Sequence, residues 1–188
     1  FGINHMSSQK SQDLSERFNK DKEIINVIDT AIDSGINAFM LNSNDRVTTI
    51  CDHFISNQEK YSKLVFYPSI PYPHKYANLV TEKGILPTIN HVLLSGKNIN
   101  SFVNTIFKGS SALITKNLNE IMKILIDLEM RNFLGLNFRV IFLQNIITDL
   151  ILGIGIKDLF IDYVNYIKDK YKVEPGFITM NAPELVKF

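Results

Sequence analysis

Cysteine is almost absent from this chain, since Cys51 is the only one in 188 residues. A single thiol excludes an internal disulfide and any zinc site built on cysteines of the usual spacing. Cys51 falls on the apolar stripe of a predicted helix. We therefore interpret it as a small buried hydrophobic residue and not as a nucleophile.

An excess of charge of either sign is also missing. Twenty Lys and Arg stand against nineteen Asp and Glu, which gives a formal net charge of +1, and the two signs are interspersed. Proteins that bind nucleic acid or anionic membranes usually carry a basic patch or stripe, and none is visible here. We expect neither nucleic acid nor a membrane as a partner.

No hydrophobic run is long enough to cross a bilayer. The longest, around Ile146 to Ile156, is interrupted by Thr148 and Asp149 and is far short of the ~20 residues that a membrane span needs. We interpret it as a buried helix. The first ten residues lack the basic-then-apolar order of a secretory signal, so we expect the protein in the cytoplasm.

Helical and strand patterns alternate along the chain. Apolar residues at helical spacing from Ile24 to Ile32 precede Gly35, a residue that commonly ends helices. The continuous apolar run that follows has the length of a strand buried on both faces. The same order of helix and strand recurs, and the predicted strands are residues 36–41, 64–67, 139–144 and 176–180.

A weaker pattern lies between the second and third of these strands. The run SALIT, residues 111–115, is a candidate additional strand, and Asn117 and Glu120 have the spacing of a capping box for a helix over residues 117–134. Lys116 would follow that strand, where a desolvated lysine could form a Schiff base. We favour a solvated lysine at a helix N-terminus.

Apolar strands separated by amphipathic helices indicate an α/β fold with a parallel sheet, which is either a (β/α)8 TIM barrel or an open doubly wound sheet. We favour the barrel, because no glycine-rich phosphate loop follows a strand and each strand leads into an extended polar loop. Gly153 and Gly155 end an apolar helix and do not make a dinucleotide motif.

A complete barrel needs eight strands in ~250 residues, whereas this chain of 188 residues shows four or five strands. We therefore expect residues 1–188 to be a single α/β domain that is an internal segment of a longer barrel.

The segment VIDTAIDSGINAFML, residues 27–41, resembles the first-helix-to-second-strand passage of TIM-barrel proteins of the aldo-keto-reductase type. The catalytic residues of that family do not carry over, because Asn42 and Ser43 stand where its aspartate would be expected. The segments FLQNIITDLILGIGI and EPGFITMNAPELV are similar to uncharacterised archaeal TIM-barrel proteins. The resemblance implies a fold and no particular reaction.

In a barrel, side chains just past the carboxyl ends of the strands converge on one mouth, and that position selects the candidate site. His5 and His74 are the candidate general acids or bases, because imidazole titrates near neutral pH. The candidate ligand-binding residues are polar side chains after each strand: Asn4, Asn42, Ser43, Asp45, Tyr72, Lys75, Gln144, Asn145 and Asn181.

Most of these candidates are neutral hydrogen-bonding groups, which suit a small polar ligand better than a metal ion. We predict no metal site and assign no cofactor. The leading hypothesis is a (β/α)-barrel enzyme domain acting on a small polar metabolite at the carboxyl ends of the strands. The alternative is a non-catalytic α/β binding module or one that self-associates into a homo-oligomer, since exposed sheet edges favour association.

Overall fold

A computed structural model describes residues 16–73 and 111–187, without the side chains of residues 111–117. Helices and strands alternate throughout these ranges. The strands β1 to β4 are Ala38–Asn42, Val65–Ile70, Val140–Leu143 and Glu174–Phe177. The helices α1 to α7 are Asp21–Asp33, Val47–Ser56, Gln58–Tyr61, Ser111–Met130, Asn145–Ile154, Lys157–Tyr166 and Ala182–Leu185. A 3₁₀ turn, Arg131–Phe133, follows α4, and a π-helical turn, Ile167–Tyr171, follows α6.

The four strands form one parallel sheet in the order β1-β2-β3-β4. Each of the four predicted strands overlaps one of them, so the prediction of an α/β fold with a parallel sheet is confirmed. β1 and β4 are the edges of this sheet in the described ranges, which is compatible with an open α/β sheet. Strand order follows chain order without a reversal, so every crossover advances in the same direction.

The two faces of the sheet differ in what covers them. Right-handed crossovers that all advance the same way place their helices on one face. On that covered face, the side chains of Phe66, Ile141 and Leu143 are at most 2% exposed and join the main apolar clusters with the helices. On the opposite face, Met40 is 53% exposed, and the rings of Tyr67 and Phe142 lie half-buried with their centroids 6.2 Å apart.

We call this second surface, against which no core cluster of the described residues packs, the uncovered face. Strand alternation and the parallel register assign to it the side chains that lie opposite one another across the sheet: Ala38, Met40, Asn42, Val65, Tyr67, Ser69, Val140, Phe142, Glu174 and Gly176. Gly176 has to be a glycine, because a Cβ there would lie 2.5 Å from the Phe142 ring. The core clusters, as far as the structure describes them, draw no side chain from this face.

Pro68 interrupts the pairing between the two central strands. Phe66 bridges Phe138, and three residues later Ser69 is opposite Phe142, four residues after Phe138. β3 therefore carries one more residue than β2 here, which is a β-bulge. Proline has no N–H to donate to a neighbouring strand, so the bulge falls where the ladder would lose a hydrogen bond in any case.

The weak prediction for residues 111–117 is wrong. SALIT is the first part of helix α4 and not a strand, and Asn117 lies inside that helix and not at its start. Short apolar runs of this length occur in both helices and strands, and periodicity alone does not separate them. The buried residues Met122, Ile126 and Met130 follow at intervals of four, and this longer helical pattern distinguishes a helix from a strand here.

The apolar run after β3 forms helix α5, which ends at Gly155 with φ of +73°. The expectation of a buried helix is correct for only one side of α5, where Thr148, Ile151 and Leu152 are buried. Ile146, Leu150 and Ile154 are 42–58% exposed and follow one another at intervals of four residues, so they form a single outward stripe. A helix can be apolar on all sides and still lie at the surface of the described chain.

Two smaller predictions are confirmed. Gly35 has φ of +90° and follows the end of α1, as a helix-ending glycine does. Cys51 is fully buried on α2, and burial raises the pKa of its thiol to about 12, which keeps it protonated and unreactive at neutral pH. No helix in the described part of the chain is both long and apolar enough to span a bilayer.

Candidate functional site

The structure describes seven of the eleven predicted site residues. Asn4, His5, His74 and Lys75 lie outside the described residues. The seven others follow strands β1 to β4 or begin the helices after them: Asn42, Ser43, Asp45, Tyr72, Gln144, Asn145 and Asn181. The side chain of Lys116 is not among those described, and its backbone belongs to helix α4.

Backbone pairing brings the strand ends to one edge of the sheet. Asn42 is opposite Ser69, and the Gln144 N–H donates to the Ile70 carbonyl at 3.2 Å. The next strand continues the series, because the Ile178 N–H donates to the Leu143 carbonyl at 3.0 Å. The carboxyl ends of all four strands therefore lie along one line, as the sequence prediction required.

Asn42, Ser69 and Gln144 occupy the carboxyl end of the uncovered face. They share this face because side chains alternate along each strand, and the extended backbone of Gln144 continues that alternation past β3. Ser69 is 4% exposed, whereas Asn42 and Gln144 are half-buried. Three neutral groups that can donate and accept hydrogen bonds thus lie at the carboxyl end of this face, next to the apolar side chains of Met40, Tyr67 and Phe142.

Gln144 carries an unsatisfied polar atom at this edge. Its side-chain Oε1 is buried and has no hydrogen-bond partner within the described ranges. Such an atom costs about 1–3 kcal/mol of desolvation unless a donor reaches it. Helix α5 begins directly after Gln144, and Thr148 Oγ1 donates to the carbonyls of Leu143 and Gln144 at 3.2 and 3.1 Å, which fixes the backbone that carries the side chain.

A local turn orients the carboxamide of Asn42. Asn44 Nδ2 donates to Asn42 Oδ1 at 2.9 Å, and Asn44 Oδ1 accepts from the Arg46 N–H at 3.0 Å. Asx turns of this kind fix the chain after a strand without regular secondary structure. Asp45, the charged member of the predicted set, is exposed beyond this turn.

Ser43 lies on the other side of the sheet from Asn42. Its Oγ donates to Glu129 Oε2, which also accepts from the Tyr72 N–H at 2.8 Å. Ser43 and Glu129 are both fully buried. This carboxylate joins the loop after β1 to the loop after β2. It therefore stabilises the carboxyl edge from the covered side of the sheet and does not face the uncovered face.

Glu129 was not among the predicted site residues. Its signal was a carboxylate on the buried stripe of helix α4, between Ile126 and Met130 and near Phe133, where apolar residues are expected. A charged residue in such a position requires polar partners, and here strand-end groups supply them.

The loop after β4 is held to helix α5. Asp149 accepts from Thr179 Oγ1 and from the Met180 N–H, the latter at 3.1 Å to Oδ2. These contacts satisfy Asp149, the charged residue in the otherwise apolar sequence of α5. Asn181 is exposed beyond this contact and precedes α7, while Asn145 is the first residue of α5.

A separate polar cluster lies near the amino ends of β1 and β2. Tyr61 Oη donates to Asp29 Oδ1 at 2.8 Å, Lys60 Nζ contacts Asp29 Oδ2 at 3.0 Å, and His53 Nε2 lies 3.1 Å from Tyr61 Oη. Burial raises the pKa of Tyr61. Burial works to raise the pKa of Asp29 too, but hydrogen bonds from Lys60 and Tyr61 outweigh it and lower that pKa overall.

A cavity of about 430 Å³ adjoins this cluster at the amino ends of the central strands. Its lining is mostly aromatic and aliphatic: Phe54, Gln58, Tyr61, Ser62, Leu64, Phe66, Gly135, Leu136 and Asn137. The amides of Gln58 and Asn137 donate to the carbonyls of Gly135 and Leu64 at 3.1 and 3.0 Å. These side chains connect the segment before β3 to α3 and β2, which is a structural role.

Comparison with known proteins assigns no relative. No family model, curated protein or solved structure matches the chain. Within residues 16–73 and 111–187, no three His, Cys, Asp or Glu side chains are grouped as ligands of a metal ion would be. The arrangement of the carboxyl edge itself is therefore the basis for a functional proposal.

Proposed function

We propose that this chain is a (β/α)-barrel enzyme domain that binds a small polar metabolite at the carboxyl ends of its strands. The observation that carries the proposal is the buried Oε1 of Gln144, which lies near Asn42 and Ser69 at the carboxyl end of the uncovered face and has no partner among the described residues. A ligand that brings an O–H or N–H group to Gln144 would remove the cost of that atom.

Strand order supports the barrel. An open doubly wound sheet reverses its strand order at the point where ligands bind, while the strands of a barrel follow chain order. The four described strands have the second pattern. Their uncovered face is apolar in its middle, at Met40, Tyr67 and Phe142, and polar at its carboxyl end, as the inside of a barrel with its site at the mouth would be.

Ligand chemistry follows from the groups available. Carboxamides and a hydroxyl accept and donate without a net charge, so they suit hydroxyl, amide or amine groups of a compact ligand. Glu129, held by Ser43 and Tyr72, acts as a positioning residue for the two loops that frame the site. His5 and His74 remain the proposed proton carriers, and both lie outside the described residues.

The test is a titration followed by NMR of the side-chain amides. The ¹⁵N-labelled 188-residue chain is titrated with neutral amino acids, polyols and hydroxy acids, one compound at a time. We expect the amide signals of Asn42 and Gln144 to shift with at least one compound. Gln144→Met, which keeps the volume and removes the oxygen, is expected to weaken that binding at least about tenfold.

The matched control is Gln58→Met. Gln58 is a glutamine near the amino end of the sheet, where its amide donates to the Gly135 carbonyl. Binding should be the same in this variant as in the unmodified chain. A panel in which the signals of Asn42 and Gln144 never move, or in which both variants lose affinity equally, would contradict the proposed site.

The alternative, a non-catalytic module that self-associates, is favoured by one observation. Met40 on edge strand β1 and the stripe Ile146, Leu150 and Ile154 on α5 are all large apolar side chains that are 42–58% exposed. An exposed apolar stripe on a helix surface, such as the one on α5, can mark an interaction site. In that case, the carboxyl edge would be buried against a second chain and the NMR signals would not respond to small molecules.

A further inference from the structure

The cavity at the amino ends of the central strands has an apolar floor. Phe54, Leu64 and Phe66 line it, and each is at most 3% exposed. The ring of Phe54 packs against the rings of Tyr61 and Phe66, with centroids 4.7 and 5.2 Å apart. Aromatic rings favour further rings packed edge-to-face or offset against them. The floor is therefore suited to an aromatic ligand.

The rim of the same cavity is polar. Gln58, Ser62 and Asn137 line it and are exposed to solvent. The NH2 groups of Gln58 and Asn137 donate to the carbonyls of Gly135 and Leu64 at 3.1 and 3.0 Å. The carboxamide oxygens of these two side chains accept no hydrogen bond from the described residues. Two acceptors therefore stand at the entrance to an apolar floor.

The size and charge of the cavity restrict what it can hold. Its volume of about 430 Å³ lies in the range of ~300–1000 Å³ that small-molecule sites occupy, and exceeds the ~150 Å³ of an apolar cavity that holds benzene. The lining, all of it in the described part of the chain, contains no charged side chain. An ion would lose its water there without gaining a partner. The ligand is therefore neutral and can be as large as a bicyclic aromatic ring.

The described residues by themselves define the shape of this cavity. Two of the positions at which they adjoin undescribed segments lie at the other end of the sheet. The Phe18 carbonyl accepts from Arg46, which follows β1, and the Tyr72 N–H donates to Glu129 beyond the carboxyl end of β2. A strand of five residues is about 17 Å long, so the cavity lies about that far from both positions.

We propose that this cavity is a second binding site, which takes a small neutral aromatic molecule with one N–H or O–H group. The ring packs on the floor of Phe54, Tyr61 and Phe66, and the N–H or O–H donates to the carboxamide oxygen of Gln58 or Asn137. The inference goes beyond the proposed function, because the polar-metabolite site lies at the carboxyl ends of the strands and this one lies at the amino ends.

The first experiment is a titration with indole. The chain contains no tryptophan, so the fluorescence of added indole reports binding without an indole background from the protein. We expect a dissociation constant of about 1 mM or lower. The matched ligand is 1-methylindole, which keeps the rings and lacks the N–H, and it should bind at least about tenfold more weakly. Absence of indole binding overturns the site, and equal affinity for the two ligands overturns the role of the carboxamides.

The second experiment fills the cavity. Leu136 lines the cavity, so Leu136→Phe should place a ring where the ligand binds and weaken indole binding at least about tenfold. Leu134→Phe is the matched control, because Leu134 is 55% exposed and is not part of the lining. Circular dichroism and thermal unfolding establish that both variants fold. Indole binding that is equally strong in both variants overturns the proposal.

Gln58→Met tests the rim without altering a buried residue. It removes one acceptor from an exposed position, so the fold should be retained. We expect this variant to bind indole more weakly and 1-methylindole about as well as the unmodified chain does. A loss of affinity that is the same for the two ligands would contradict a hydrogen bond to this side chain.

NMR of the side-chain amides distinguishes the two proposed sites. Indole should shift the signals of Gln58 and Asn137 and leave those of Asn42 and Gln144 in place. Shifts at Asn42 and Gln144 alone would assign indole to the carboxyl edge, which overturns this inference and leaves the proposed function standing. Shifts at Gln58 and Asn137 in a chain whose Gln144 signals respond to no polar compound would support this site and contradict the other.

Discussion

At the amino ends of the strands, Tyr61, Asp29, Lys60 and His53 satisfy one another, while at the carboxyl ends Gln144 keeps a buried oxygen without a partner. The same parallel sheet thus carries two polar regions of opposite character. A satisfied network contributes to the stability of the fold, whereas an unsatisfied buried atom reduces it. Of the two regions, the carboxyl edge is therefore the one that retains an unsatisfied buried acceptor among the described residues.

The largest effect is expected at Glu129, the satisfied part of the carboxyl edge. Glu129→Ala would leave the Ser43 hydroxyl and the Tyr72 N–H buried without their acceptor, at a cost of about 3 kcal/mol in the free energy of unfolding. Urea denaturation measures this. Glu129→Gln keeps an acceptor oxygen and should cost less than half as much. Equal losses in the two variants would show that the contacts to Ser43 and Tyr72 are unimportant.

An intermediate effect is expected at the amino edge. Tyr61→Phe removes the hydroxyl that contacts Asp29, Lys60 and His53 while leaving the ring in place against Phe54. We expect the free energy of unfolding to fall by about 1–2 kcal/mol. Ser62→Ala, which removes an exposed hydroxyl of the same segment, serves as the control and should change stability by less than about 0.5 kcal/mol.

The same substitution, glutamine to methionine, can be made at both edges of the sheet, and we expect it to change stability in opposite directions. Gln144→Met should stabilise the unliganded chain by about 1 kcal/mol, because it removes a buried oxygen that has no partner. Gln58→Met should destabilise it by less than about 0.5 kcal/mol, because the donor that it removes from the Gly135 carbonyl is exposed to water. Thermal unfolding compares the two. A change of the same sign in both variants would remove the distinction between the edges.

The smallest effect is a pH dependence at the amino edge. The folded-state pKa of Asp29 is lowered from its ordinary value of 3.8. Its contribution to stability is therefore fully present above that value and is lost as the pH falls through the lower folded pKa. We expect well under about 1 kcal/mol, since the ion pair is partly exposed. Asp29→Asn should flatten the acid limb of the curve of stability against pH, and an unchanged acid limb would contradict this.

Much of the fold could be predicted from the sequence. Continuous apolar runs of strand length located all four strands, because strands buried in a parallel sheet have no polar alternation. SALIT failed for the same reason, since an apolar run at the start of an amphipathic helix has the same composition. The stripe of Ile146, Leu150 and Ile154 was misjudged because hydrophobicity implies burial only when a second surface is available to cover it.

The candidate site was predicted in part. Asn42 and Gln144 were found by their position at strand ends, and the structure brings them to one edge. Ser43 has an equally good position in the sequence but faces the helices, because neighbouring residues of a strand point to opposite sides. Glu129 was missed because its partners, Ser43 and Tyr72, come from loops far away in the chain and leave no local signal.

The bulge opposite Pro68 has a consequence for the order in which the chain folds. Ser69 and Phe142 are separated by more than twice the chain length that separates Ala38 from Val65. Closing the longer loop costs more entropy. Because Pro68 has no N–H, the pairing between β2 and β3, which we call the central seam, has fewer hydrogen bonds to offset that cost. We expect the halves β1–β2 and β3–β4 to fold first as separate units and the seam between them to close last, so the middle of the sheet would exchange its amide hydrogens sooner than either flank.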